Sequence, residues 1–304
     1  MALANRKIGY DEVEPRDLRF NLGKDQVPRY WINGDPWTTH FFNSIMAAVP
    51  DGERWVMQCV RRSLTQLKDD TVRKAGIAFI KQEHYHAREH DDMNHALIQQ
   101  GVPLDVVERN FKVIRSVLEK LTPPSMHLSM MASFEHFTAT MSAVFIDHPE
   151  MLDDSDPRIA AMLFWHFVEE TEHKSVTFDV FQDAVGSYPQ RVLGMLIAST
   201  MFLPMVQGHM LYLAWKDGQL RNWRSLLRCL DTQFGRQGVF TRLLLGHYFP
   251  YYSPKFHPWD ADNRSKISAW KKAFAATGDT FAAYAQFRKA AGLPARSDLV
   301  AQAA

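Results

Sequence analysis

The chain is predicted to be all-α, and three observations predict it. Apolar residues recur at helical spacing over long segments, no run of alternating β-branched residues bounded by turns occurs, and Pro, Gly and short polar clusters punctuate the helical stretches. At 304 residues, with 46% hydrophobic and 12% aromatic content, the chain can bury one large core or two modest ones. No repeat of solenoid type is present.

Each element has its own signal. Asp35 followed by Pro36 reads as a helix start leading into WTTHFFNSIMAAV, and Pro50, Asp51 and Gly52 then break or kink that helix before ERWVMQCVRRSLTQL resumes the helical period. A helix from Thr71 to Gln100 is stopped by Gly101 and Pro103. Residues 104–120 form a connecting helix ended by Thr122, Pro123 and Pro124. Met126 to Ile146 is a strongly apolar helix, HPEMLDDSDP a turn, and Arg158 to Val185 one long helix closed by Gly186 and Pro189. Val192 to Trp215 has no Asp, Glu, Lys or Arg and is long enough to span a bilayer, but Pro204, Gln207, Gly208 and His209 interrupt it. It is expected to be a bent, buried helix covering the preceding ones, with peripheral membrane contact through 192–215 as the alternative, supported by Arg191, Lys216, Arg221, Arg224 and Arg228. Residues 247–263 are an aromatic, Pro-rich loop, a last helix runs from Arg264 to Ala291, and Ala301 to Ala304 fray. The expected division is an N-terminal extension (1–35), a helical bundle (36–186) and a C-terminal helical extension packed on it (187–304).

Composition excludes several function classes. Lys plus Arg is 35 against 34 for Asp plus Glu, so nothing favours nucleic acid as a partner. Cys59 and Cys229 are the only cysteines and form no CxxC, which argues against a disulfide framework or a thiolate metal site. The first twenty residues have no apolar h-region, so the default location is cytoplasmic.

The chemistry lies in acids and histidines. FIKQEHYHAREHDDMNH, from Phe79 to His95, contains Glu83 and His86 three apart on one helical face, with His90 on that face about 20° from Glu83. A second ExxH, Glu170 and His173, lies in FWHFVEETEHKSV, with His166 one turn before Glu170. A lone ExxH recurs by chance on solvated helices, but each hairpin supplies a further carboxylate at matching height. Glu53 lies about 15 residues before the turn near Asp69 and Glu83 about 14 after it, so both sit roughly 21 to 22 Å from that turn. Glu135 and Glu170 flank the turn at Pro149–Pro157 in the same way. Glu135 stands in an apolar helix, where an unpaired carboxylate requires a cation or partner. Four converging carboxylates repel one another, and two divalent metals would neutralise them. Glu53, just after a helix break, has an alternative reading as an acid favoured by the helix macrodipole. His84, His95 and His136 fall off the ligand face and read as surface or satisfied-core histidines.

This arrangement resembles the ferritin-like dinuclear-metal four-helix bundles, in which a Glu from each of two helices joins an ExxH from each of the other two. VPRYWINGDPWTTHFFNSIMAAVPDGERW, the QEHYHAREH segment and FHPWD at 256–260 look more specifically like a bacterial family of predicted metal-dependent hydrolases. The HxxxExxH of His166, Glu170 and His173 is similar to that of the di-iron N-oxygenases that oxidise arylamines. The resemblance implies metal ligation by Glu53, Glu83, His86, Glu135, His166, Glu170 and His173. Antiparallel ExxH helices place His90 and His166 at the same end of the metal pair, with His166 in better reach of a metal and His90 orienting a ligand beside it.

The expected cofactor is two iron ions, with Mn or Zn as alternatives for an oxygen and nitrogen donor set without sulfur. The expected function is an O2-activating oxygenase or oxidase acting on a small or apolar organic molecule. A metal-dependent hydrolase is the first alternative and a ferritin-like metal-binding protein or ferroxidase the second. The oxidative reading calls for O2, a small-molecule substrate and an electron-donor protein as partners, and a homodimer is kept open as the assembly. Phe134, Phe137, Phe164, Trp165 and Phe167 either wall an apolar substrate pocket or are simply core.

Overall fold

A computed structural model of the protein describes residues 13–23, 27–294 and 296–299. The described residues are helical and contain no strand, in keeping with the predicted all-α class. The expected fraying of Ala301 to Ala304 lies outside them.

Twelve α-helices are formed among the described residues: α1 (Pro36–Met46), α2 (Val49–Ser63), α3 (Asp70–Gln99), α4 (Leu104–Leu121), α5 (Pro124–Asp147), α6 (Pro157–His173), α7 (Val176–Ala184), α8 (Tyr188–Lys216), α9 (Trp223–Phe234), α10 (Val239–Arg242), α11 (Arg264–Thr277) and α12 (Thr280–Ala290). Their starts follow local chemistry. Asp35 accepts a hydrogen bond from the Thr38 amide with Pro36 in the first turn of α1, Asp69 caps α3 through Thr71, and Asp156 caps α6 through Arg158 and Ile159. Pro50 falls in the first turn of α2, so the expected break becomes a short step between α1 and α2.

Helices α2, α3 and α5 and the α6–α7 pair pack around one another. One cluster of their side chains, including Trp55, Val60, Phe79, Met130 and Phe181, fills the end of this group near the α2–α3 turn. A second core, containing Phe41, Leu97, Phe164, Met210, Trp270 and Phe287, is shared with the C-terminal helices. Helix α8 lies on α1 and α5, and the α11–α12 hairpin lies on α6.

Three expectations are corrected. The single helix expected over 158–185 is broken at Lys174–Ser175, where the 257–263 segment docks. Lys174 Nζ donates to the Ala261 carbonyl (2.6 Å) and Asn263 Oδ1 (2.8 Å), and Trp259 Nε1 donates to Ser175 Oγ (3.1 Å). The helix expected over 264–291 is two helices, because Gly278 adopts φ +67° and Asp279 then caps α12 through the amides of Phe281 and Ala282. Helix α8 runs unbroken past Pro204, and it is not buried all round. Its inner stripe, including Met195, Ala198, Val206, Met210 and Leu213, is covered, while Leu193, Leu196, Leu203, Leu211 and Trp215 are exposed. Helices α9 and α10 were not anticipated, and the loop expected over 247–263 contains short 3-10 turns whose Tyr251 is fully buried against His136 and Phe256.

Candidate metal centre

Seven ionisable side chains on four helices converge where these helices pack. Glu53 comes from α2, Glu83 and His86 from α3, Glu135 from α5, and His166, Glu170 and His173 from α6. All seven are buried. The helical spacing of each ExxH turns its two members to one side, and the packing of α3 against α6 brings the two motifs face to face.

The donor atoms fall into two groups, one of Glu53, His86 and His166 and the other of Glu83, Glu135, Glu170 and His173, with the atoms of each group within 4.8 Å of one another. His173 Nε2 lies 3.1 Å from Glu83, 3.4 Å from Glu170 and 3.7 Å from Glu135. His166 Nε2 lies 3.0 Å from Glu170 Oε1 and 3.9 Å from Glu53 Oε1. His86 Nδ1 is 3.8 Å from Glu83, and the His86 and His166 rings stack with centroids 4.1 Å apart. Glu170 therefore turns one oxygen to His166 and the other to His173, and Glu83 faces both His86 and His173.

Electrostatics mark the same place. Burial raises the Glu53 carboxyl far above its ordinary pKa, and the charges of Glu170 and Glu135 add to this. Glu83 and Glu135 are raised in the same way, first by burial and then by the neighbouring carboxylates. Burial and the surrounding imidazoles hold His86 and His90 well below the ordinary histidine value. Glu170 goes the other way: burial pushes it up, but His173 and the hydrogen bond with His166 outweigh burial and hold it low. Both oxygens of Glu53 and Glu83, Oε2 of Glu135, Nδ1 of His86 and Nε2 of His173 are buried without a protein hydrogen-bond partner. Orphaned donor atoms of this kind, four carboxylates among three imidazoles, are what a divalent cation pair would satisfy.

A further layer holds the imidazoles. Glu169 Oε2 lies 3.0 Å from His86 Nε2, and Gln82 Oε1 lies 3.0 Å from His173 Nδ1. Gln82 Nε2 donates to Glu172 (3.0 Å), and the Arg16 guanidinium donates to both Glu169 (2.9 Å) and Glu172 (2.8 Å). One residue of the N-terminal segment thus ties the supports of two candidate ligands together. Burial raises Glu169 to about 8 despite Arg16 beside it. His90 Nε2 lies 2.7 Å from His166 Nδ1, so the two histidines are direct neighbours. His84 and His95 are exposed, and His136 is buried with Nε2 3.0 Å from the His247 carbonyl. The sequence reading missed Gln82, Glu169, Glu172 and Arg16. The acids of FVEETEH carried a signal, since Glu169 and Glu172 sit three apart beside Glu170 and His173 at the end of a helix that begins apolar, but nothing in the aperiodic 13–35 segment marked Arg16.

An apolar cavity adjoins the donors. Ile45, Ala48, Val49, Val56, Phe111, Met131, Phe134, Met141, Phe202 and Met205 line it together with Glu53, Glu83, Glu135, His166 and Glu170. Thr138 adds one hydroxyl, which donates to Glu170 Oε2 (2.9 Å). Of the five aromatic residues proposed as pocket wall, only Phe134 lines this cavity. Phe164 stacks on Tyr284, Phe167 on Phe145, and Trp165 meets the His86 ring edge-on, while Phe137 packs with Phe202 and Tyr248, so these four are core.

The model of a family described as predicted metal-dependent hydrolase matches residues 14–262. No curated protein and no solved structure matches the chain.

Proposed function

This chain belongs to the predicted metal-dependent hydrolase family, whose model covers most of its length, and from that premise we propose that it is an enzyme whose seven converging residues hold two divalent metal ions beside an apolar substrate cavity. The observation that carries the reading is the pair of buried donor groups with their orphaned atoms. Glu53, His86 and His166 would hold one ion and Glu135 and His173 the other, with Glu83 and Glu170 facing both groups. The four carboxylates match the charge of two divalent cations. A ferritin-like arrangement of the four ligand-bearing helical segments is part of the same proposal, as is the 36–186 bundle as a unit.

When bound, such a pair supplies Lewis acidity toward substrate oxygen or nitrogen. The chain's residues do the rest. Glu169 and Gln82 fix the ring orientation of His86 and His173, leaving Nδ1 of the first and Nε2 of the second turned to the centre. With Nε2 of His166 also turned inward to hold a metal ion, its Nδ1 would be the nitrogen left to hydrogen-bond Nε2 of His90, 2.7 Å away. Thr138 holds one oxygen of Glu170. The wall from Ile45 to Met205 receives the apolar part of a substrate and excludes water.

Two reaction classes use this centre, and the family's description supports the first, hydrolysis, over the oxidative chemistry expected from the sequence. One observation favours the second. Among the described residues, and apart from the candidate ligands, Thr138 provides the one polar side chain on the cavity wall, and a lining this apolar suits an oxidisable apolar molecule better than a polar scissile group. The oxidative reading would make iron the native metal and adds an electron donor as partner. The test is to load the protein separately with Zn(II), Mn(II) and Fe(II). Cleavage of model esters by the Zn(II) or Mn(II) form without O2 uptake by the Fe(II) form supports hydrolysis. O2 uptake coupled to oxidation of an added apolar compound supports the oxidative reading, and iron oxidation unaffected by any organic compound supports a ferroxidase.

A further inference from the structure

Among the described residues, most of the large apolar side chains left exposed belong to residues 188–249. Helix α8 contributes Leu193, Leu196, Leu203 and Leu211, and α9 contributes Leu227 and Leu230. Beyond α10 a π-helical turn, Leu243–Tyr248, exposes Leu245 at 82% and is followed by Phe249 at 66%. These segments lie side by side: Gln207 of α8 donates to Gln233 of α9 (2.6 Å), and Tyr248 donates to Ser199 of α8 (3.0 Å). A soluble monomer rarely leaves so much apolar surface on one face without a use for it.

The charge and the aromatic residues of this face say what covers it. Residues 188–249 hold seven Lys and Arg against two Asp and Glu, while the whole chain is nearly balanced at 35 to 34; Arg191 is buried and Arg228 pairs with Asp35, which leaves Lys216, Arg221, Arg224 and Arg236 exposed. One of the two acids, Asp217, is already engaged by Arg29, Tyr30 and His40. At the α8–α9 corner Trp215 and Trp223 are more than half exposed, and each carries a cation on its ring, Lys216 at 4.7 Å and Arg224 at 5.3 Å. Apolar side chains bordered by Trp and by Lys or Arg are the composition of a surface that sits at the headgroup level of a bilayer. Helix α8 has the length and composition to cross a membrane, but its inner stripe is packed on α1 and α5, so only its outer face is free to meet lipid. The inner side of the same helix supplies Phe202 and Met205 to the apolar cavity.

We propose that the face formed by α8, α9 and the 243–249 turn docks on the surface of an anionic phospholipid bilayer, lying in the interface without crossing it. A second copy of the chain would carry the same excess positive charge on the same face, which disfavours self-pairing and favours an anionic surface. On the reading that the cavity behind α8 receives an apolar substrate, docking sets that cavity one helix away from the lipid phase.

The experiment is flotation of metal-loaded protein with vesicles of equal parts phosphatidylcholine and phosphatidylglycerol, and with vesicles of phosphatidylcholine alone. The wild type is expected to float with the anionic vesicles and to be released as salt is raised. The double variant Leu227→Glu with Leu230→Glu is expected to lose binding by on the order of tenfold or more while keeping wild-type helicity and metal content. Absence of flotation with anionic vesicles overturns the proposal. So does a wild-type dimer that the double variant converts to monomer while neither binds vesicles, because the face is then a self-interface. Binding is read without turnover, so its failure leaves the metal-enzyme reading untouched, and failure of the metal site leaves the flotation result standing.

Discussion

Nε2 of His90 lies 2.7 Å from Nδ1 of His166, and Nε2 of His166 lies 3.0 Å from Glu170. His166 is thus held from behind by one buried imidazole while its other nitrogen faces the carboxylates. We expect His166→Ala to weaken one of the two metal positions severely, and His90→Ala to lower metal affinity by about 10- to 100-fold through loss of orientation. Competition with a coloured chelator measures both. Equal affinity in the wild type and both variants would make this pair an ordinary core contact.

Arg16 joins Glu169 and Glu172 at 2.9 and 2.8 Å, and both acids are fully buried. Lys271 also reaches Glu172 at 2.9 Å, so Glu169 is the acid most exposed to loss of the guanidinium. Removing one partner of a buried ion pair costs about 3 to 5 kcal/mol, and Arg16→Met is expected to fall near the low end of that range. Denaturant unfolding reads the loss, and chelator competition should show weaker metal binding through His86. Unchanged stability would mean that the N-terminal segment does not support the centre.

His136 is buried, and burial holds its pKa at about 4, below the ordinary value of 6.5. The unfolded chain therefore takes up a proton at this residue before the folded protein does. Its contribution to stability is present above pH 6.5 and is lost as pH falls from 6.5 toward about 4. Between pH 7 and pH 5 this amounts to about 2 kcal/mol. His136→Asn should show a shallower stability loss than wild type over that interval, measured by denaturant titration of metal-free protein at each pH. Identical slopes would remove His136 as a source of acid sensitivity.

Gly194 and Gly208 both lie in α8 but face different surroundings. A Cβ at Gly194 would stand 2.1 Å from Ser129 Oγ and 2.9 Å from the Ser129 carbonyl carbon, whereas at Gly208 it would meet nothing within 4 Å. Gly194→Ala is expected to destabilise the α5–α8 contact by about 1 to 3 kcal/mol. Gly208→Ala should instead stabilise by roughly 0.5 to 1 kcal/mol through helix propensity. Thermal melts of the two variants would separate these effects, and equal shifts would contradict the close approach of α8 to Ser129.

The fold class and the convergence of the candidate residues were legible because each rests on periodicity. Glu83 with His86 and Glu170 with His173 share a helical face by spacing alone, and level hairpin heights brought Glu53 and Glu135 to them. The breaks were harder to read. Lys174–Ser175 carries no Gly or Pro, and its interruption coincides with docking of residues more than eighty positions away, a tertiary effect without a local signature. Gly278 did carry a local signal, in the Gly-Asp pair that ends one helix and caps the next, and the helical composition on both sides hid it. The face of α8 was misjudged because an apolar helix looks the same in sequence whether its outer side meets protein or something else. Arg16 was invisible because an ion pair formed across a hundred and fifty residues leaves no spacing to detect.

The most direct test is the metal content of protein purified without chelator, exhaustively dialysed, and compared with Glu170→Ala, the variant that removes one of the two carboxylates facing both donor groups. The account predicts two divalent metal ions per chain in the wild type and a loss of at least one in the variant, with helicity unchanged. A wild type that retains no metal after reloading with Fe(II), Mn(II) or Zn(II), or a Glu170→Ala variant with the full wild-type complement, would contradict it.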